Sequence, residues 1–221
     1  MMHAPYKAVV FDLDGTVADT LNDLTASVNR SLAAFGYPTH TKKEVSTFVG
    51  NGIKMLVVRA LPQGVEEGEI NKVYAYFMED YAAHHADSTL PYPGVMQLLS
   101  ALKARGVKLA LVSNKADEMT QPLISRFFPG VFAFVLGSRD DLPRKPDPTG
   151  YLLAMQSLGV ERAETCYVGD SEVDVQTAAN AGTDVVLVSW GFRTKEQLYA
   201  SGAPVVADTM EELFSLLTKN A

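Results

Sequence analysis

The chain has 221 residues, 47% hydrophobic and 20% charged, which at ~150 residues per domain is one domain with room for a sizeable insert, and a core that needs no disulfide staples. Cys166 is the single cysteine, which excludes an intramolecular disulfide and a cysteine-based zinc site, and no apolar run reaches the ~18 residues of a membrane span. The net charge of −7 disfavours nucleic-acid partners, so a small anionic substrate would need local positive charge from a metal or a placed lysine. Met1 to Tyr6 shows no charged region followed by a long apolar stretch, so no secretory signal is expected and the expected compartment is the cytoplasm.

In chain order, Lys7 to Phe11 (KAVVF) reads as a short buried strand ending at Asp12. For the next seventy or so residues the period is helical. Leu24, Val28, Leu32 and Phe35 form one apolar face, with Thr20 and Asp23 as a capping pair ahead of it and Gly36 at its end. Ile53, Leu56, Val57, Ala60 and Leu61 make a second stripe, and Ile70, Val73, Tyr74, Phe77 and Tyr81 a third, read as packing. Pro91-Tyr92-Pro93-Gly94 breaks the pattern. A helix bearing Val95, Leu98, Leu99 and Leu102 follows, stopped at Gly106, and then the strand Lys108 to Val112. Further apolar runs at Ala133–Leu136, Thr165–Val168, Asp184–Val188 and Pro204–Val206 alternate with helices. One of these starts at Pro148 behind Asp147 as N-cap and ends before Gly159.

Strands alternating with helices predict an α/β fold with a doubly wound parallel sheet covered on both faces. The sheet starts with the first strand and resumes near Pro91, so the expected division is a core of residues 1–16 and 91–221 with a helical insert over 17–90.

In such a sheet the ligand site lies at the carboxyl ends of the strands. There the sequence places Asp12-Leu13-Asp14-Gly15-Thr16, Ser113-Asn114, and Gly169-Asp170-Ser171 with Asp174 one helical turn on; Lys145-Pro146 precedes the capped helix. Asp12 and Asp170 make a hard oxygen site suited to Mg²⁺. Their mutual repulsion would be offset by such an ion with Lys145 nearby. Asp12 is also a competent nucleophile toward phosphorus, and Asp14, two residues on, can protonate the leaving oxygen and then take a proton from water. Ser113 and Lys145 can hold the equatorial phosphoryl oxygens.

These four ordered segments resemble the motifs of the haloacid dehalogenase-like (HAD) hydrolase superfamily, and the helical insert resembles its cap domain. The resemblance implies Asp12 as the nucleophile that forms an aspartyl-phosphate, and Asp14 as acid/base that also offers the metal its backbone carbonyl. It implies Asp12, Asp14 and Asp170 around Mg²⁺, Thr16 as support for the loop, and Ser113, Asn114 and Lys145 on the phosphate. Asp174 becomes an outer acid, and Gly169 stands where some relatives carry another acid. Phe48-Val49-Gly50-Asn51-Gly52, Asp14 to Thr20 and Gly191-Phe192-Arg193 resemble the phosphoglycolate phosphatase branch. The implied activity is hydrolysis of a small phosphorylated metabolite, 2-phosphoglycolate first, by a monomer or homodimer with no nucleic-acid or membrane partner. The alternatives are β-phosphoglucomutase-like phosphoryl transfer, a pyrophosphatase, or, outside enzymes, a receiver-type phosphoaccepting signalling domain.

Gly50, Asn51 and Gly52 read as a plain turn or a substrate loop, and Arg193 as an anion contact or a surface residue. Cys166 reads as a small core residue. His84 and His85 read as a solvated helix end.

Overall fold

The computed structural model describes residues 5–50 and 52–218. Its first elements are β1 (Ala8–Phe11), β2 (Ala18–Asp19), α1 (Leu21–Ala34), α2 (Lys42–Phe48), α3 (Ile53–Ala60), α4 (Glu67–His84) and β3 (Leu90–Pro91). There follow α5 (Val95–Ala104), β4 (Lys108–Ala116), α6 (Asp117–Phe127), β5 (Phe134–Ser138), α7 (Thr149–Leu158) and β6 (Thr165–Gly169). The chain finishes with α8 (Glu172–Ala181), β7 (Asp184–Val188), α9 (Lys195–Ala200), β8 (Val206–Ala207) and α10 (Met210–Thr218). It divides into two units, Met1–Ala18 with Pro91–Ala221, and Asp19–Leu90. The short strands β2 and β3 pair with each other where the chain passes from one unit to the other.

The first unit is an α/β fold around a six-stranded sheet in the order β5-β4-β1-β6-β7-β8, with parallel pairing throughout. Alternate residues of β1 serve opposite faces, yet all are buried, which is why the strand reads as an unbroken apolar run. Ala8 and Val10 join Ala110, Val112, Tyr151, Ala154 and Tyr167 in one core cluster under α7 and α8. Phe11 is registered with Leu111 on one side and Val168 on the other, and the Asp12 N–H donates to the Val168 carbonyl at 2.9 Å. The chain therefore leaves β1 and β6 at one level, which brings Asp12 and Asp170 out side by side. The strand expected over Lys108–Val112 instead runs on to Ala116 after a register shift, so Ser113, Asn114 and Lys115 belong to its last stretch. Asp147 stands one position outside the cap of α7 and still accepts the Thr149 N–H at 2.9 Å.

The second unit is helical. Leu24, Val28 and Leu32 of α1, Val45 of α2, Leu56, Val57 and Ala60 of α3, and Val73, Phe77 and Tyr81 of α4 form its core. Arg30 on α1 binds Asp80 on α4 through two hydrogen bonds of 2.7 Å. The expected Thr20–Asp23 capping pair is corrected here: the buried Thr20 hydroxyl makes no hydrogen bond. Asp23 turns instead to the other end of the unit. It accepts the backbone N–H groups of Ser88 and Thr89 and the Thr89 hydroxyl at 2.8–3.0 Å, a better-satisfied arrangement for a buried carboxylate than one capping bond. Among the described residues no helix is long and apolar enough to cross a membrane.

Candidate active site

Asp12 follows β1 directly, is buried, and accepts the Leu13 N–H at 2.8 Å. Its Oδ1 lies 3.0 Å from Lys145 Nζ. Lys145 is buried too. Its ammonium meets Asp174 Oδ1 at 2.8 Å and the Tyr167 hydroxyl at 3.0 Å. Burial works to lower the Lys145 pKa, but the combined pull of Asp12 and Asp174 outweighs it and holds the ammonium well above its usual range.

Asn114, expected on the phosphate, spends its side chain elsewhere. Its Oδ1 accepts the Lys145 N–H at 2.9 Å and its Nδ2 donates to the Lys145 carbonyl at 3.0 Å, so it fixes the backbone that carries the lysine. Ser113 is buried at the same strand end, where its Oγ accepts the Lys115 N–H at 3.1 Å. In the loop after Asp12, the Thr16 carbonyl receives the Trp190 indole N–H at 3.1 Å. The Thr16 hydroxyl is buried with no hydrogen-bond partner among the described residues.

Asp174 sits in the first turn of α8 and is fully buried. Its Oδ2 accepts the N–H groups of Asp170 and Ser171 and the Ser171 hydroxyl at 2.8–3.1 Å, so both of its oxygens are engaged. A Cβ on Gly169 would stand 2.2 Å from Asp174 Cγ, so the space an acid at 169 would need is filled by Asp174. Asp170 accepts the Phe192 N–H at 2.7 Å. Its carboxylate is approached by backbone from two directions: a Cβ on Gly15 would lie 2.1 Å from Asp170 Oδ2, and one on Gly191 would lie 2.4 Å from the same oxygen. Only glycine permits this crowding, and Gly15 also has φ +80°. Sequence reading attached no such role to Gly191.

Asp12, Asp170 and Asp174 bring carboxylate oxygens within 4.8 Å of one another. Burial, followed by the nearness of the other acids, raises Asp170 well above the usual carboxylate range. Burial first, then repulsion from Asp174 and Asp14 against the attraction of Lys145, pushes Asp12 up to about 7. Clustered carboxylates that resist ionising are what a hard divalent cation relieves, and the donor set is all oxygen. With Asp174 already engaged, Asp12 and Asp170 are the two side chains fitted to hold it.

Asp14 is half-buried, and its Oδ1 lies 3.4 Å from the ammonium of Lys115, a buried residue that motif reading passed over. Arg193 makes paired hydrogen bonds to Glu172 at 3.0 and 3.1 Å. Gly50 and Gly52 precede α3 in the unit Asp19–Leu90, and Asn51 lies outside the described residues. Cys166 is fully buried and burial pushes its thiol up, as suits a core residue. His84 pairs with Asp87 at 2.7 Å at the exposed end of α4.

The sequence profile described as haloacid dehalogenase-like hydrolase matches residues 9–188. A phosphoglycolate phosphatase of Pseudomonas aeruginosa is 38% identical over 94% of this chain and 78% of its own length. One from Thiobacillus denitrificans is 33% identical over 97% of both chains. A crystal structure of a protein from Lactobacillus delbrueckii subsp. bulgaricus matches with a TM-score of 0.94 and 36% identity, over 98% of this chain and all (100%) of that one.

Proposed function

The chain belongs to the haloacid dehalogenase-like hydrolases, and from that membership we propose a phosphoric monoester hydrolase that uses Mg²⁺ and acts on 2-phosphoglycolate through a phosphorylated Asp12. The observation that carries the chemistry is the buried group of Asp12, Asp170 and Asp174 around Lys145, with Asp14 two residues beyond Asp12. The substrate rests on the named activity of the relatives.

Asp12 attacks phosphorus, and the bond to the ester oxygen breaks. Asp14 gives that oxygen its proton, and the alcohol leaves. Water then attacks the phosphorus of the aspartyl-phosphate, Asp14 takes its proton, and phosphate departs with Asp12 restored. Lys145, set in place by Asn114, and Ser113 hold phosphoryl oxygens while charge spreads over them. A Mg²⁺ bound by Asp12, Asp170 and the Asp14 backbone carbonyl would supply the positive charge that lets Asp12 ionise beside its acidic neighbours.

The test is phosphate release with Mg²⁺ from 2-phosphoglycolate, hexose phosphates, pyrophosphate and nucleotides, with Asp12→Asn as control. Fastest release from 2-phosphoglycolate and none from Asp12→Asn is expected. Release from no substrate, or full activity in Asp12→Asn, contradicts the mechanism. Preference for another ester overturns the substrate assignment alone, and isomerisation of a hexose phosphate without release overturns the hydrolase reading.

A further inference from the structure

The site holds two buried ammonium groups with different surroundings. Lys145 is fixed between Asp12 and Asp174 at 3.0 and 2.8 Å. Lys115 meets a different acid, Asp14. The extension of β4 past Val112 carries the lysine two residues beyond Ser113, and its side chain is only 2% exposed. Its Nζ meets Asp14 Oδ1 at 3.4 Å, longer than the ~2.7–2.9 Å of a tight ammonium–carboxylate pair. The charge is thus buried beside the group assigned to the ester oxygen, in a chain whose net charge is −7.

We propose that Lys115 is the specificity residue of this site: its ammonium takes the carboxylate of a leaving alcohol that carries its carboxyl group on the carbon next to the ester oxygen. The substrate class is the phosphate esters of 2-hydroxy acids. This rests on the phosphatase reading above and extends it. Asp14 must come within about 2.6–3.2 Å of the ester oxygen to protonate it. The carboxyl carbon of such an ester lies two bonds beyond that oxygen, so its carboxylate falls beside Asp14, where Lys115 is. Without a cation there, the carboxylate would meet Asp14 and the other acids and be repelled. An ester with a neutral group in the same place would leave the buried ammonium without that partner, which is how a site rejects an analogue lacking the matching group.

The experiment compares kcat/KM for 2-phosphoglycolate with that for 2-hydroxyethyl phosphate, in which a hydroxymethyl group replaces the carboxylate, in Mg²⁺ buffer. Wild type, Lys115→Met and Lys115→Arg are measured. Wild type is expected to favour 2-phosphoglycolate, the ratio of the two values to fall about a hundredfold or more in Lys115→Met, and Lys115→Arg to retain most of it. A ratio unchanged in Lys115→Met, with both esters slowed alike, overturns the proposal and leaves Lys115 serving Asp14 or the fold. A wild type that hydrolyses both esters equally well overturns it while the phosphatase reading stands. A wild type that hydrolyses neither, nor any other ester of the panel above, overturns both; hydrolysis of another ester alone overturns the Lys115 proposal and leaves the phosphatase mechanism standing.

Discussion

Replacing the proposed nucleophile should make the metal-free protein more stable. Asp12 is raised from 3.8 to about 7, chiefly by burial and then by Asp174 and Asp14. At ~1.4 kcal/mol per tenfold change in acidity, ionising it in the folded protein costs about 4 kcal/mol above pH 7. Asp12→Asn keeps an oxygen for the Leu13 N–H, and Lys145 keeps Asp174. The variant should therefore recover much of that cost, about 2–4 kcal/mol, or a rise in Tm on the order of 5–10 °C for a chain of this size. The pH dependence has a fixed sign. Because the folded pKa is raised, the folded state holds a proton that the unfolded state has lost between about pH 4 and 7, so wild-type stability falls as pH rises across that window. The advantage of Asp12→Asn should be largest at pH 8 and shrink steadily toward pH 4. Thermal unfolding of both proteins in chelator-treated buffer at several pH values reads this directly. A variant less stable than wild type at pH 8, or a gain independent of pH, would refute the electrostatic account of the cluster.

Mg²⁺ should raise the wild-type Tm, by about 2.7 kcal/mol of stability at a hundred times its Kd, and should do far less for Asp170→Asn; equal stabilisation of both would remove Asp170 from the metal site. Gly191→Ala should lower kcat/KM about a hundredfold or more, because its Cβ would stand 2.4 Å from Asp170 Oδ2 and must displace it; near-normal activity would show that the close backbone approach is dispensable. Asp23→Ala should destabilise the helical unit by about 2–3 kcal/mol, since the donors of Ser88 and Thr89 lose their acceptor; denaturant unfolding with no change in midpoint would contradict that assignment.

Asp12 and Asp170 were legible because each follows a strand directly, and a parallel sheet fixes where strand ends go: they needed only the positions of β1 and β6. What depends on distant partners was not. Asp23 looks like a capping residue within its own turn, but its partners lie 65 and 66 residues away. Asn114 looks like a ligand for phosphate beside Ser113, and only the approach of a segment 31 residues on shows that it holds Lys145. Lys115 was missed because the strand was ended at Val112, and nothing local says that β4 continues through a register shift. The helix α2 is too short, with only Val45 buried, to show a period. Its usable signal was Thr41 with Glu44 three residues on, which form a reciprocal capping box. Gly191 stood out only as part of Gly191-Phe192-Arg193, and its own role has no local sign, because what it needs is room for a carboxylate from another strand.

In this mechanism phosphoryl transfer passes through Asp12. Mixing the Mg²⁺-loaded enzyme with excess 2-phosphoglycolate, quenching in acid within the first turnovers and mapping peptides by mass spectrometry tests it most directly. One phosphoryl group on the peptide containing Asp12, absent in Asp12→Asn, is predicted. Steady phosphate release with that peptide unmodified at every quench time, or release continuing at the wild-type rate in Asp12→Asn, would contradict it.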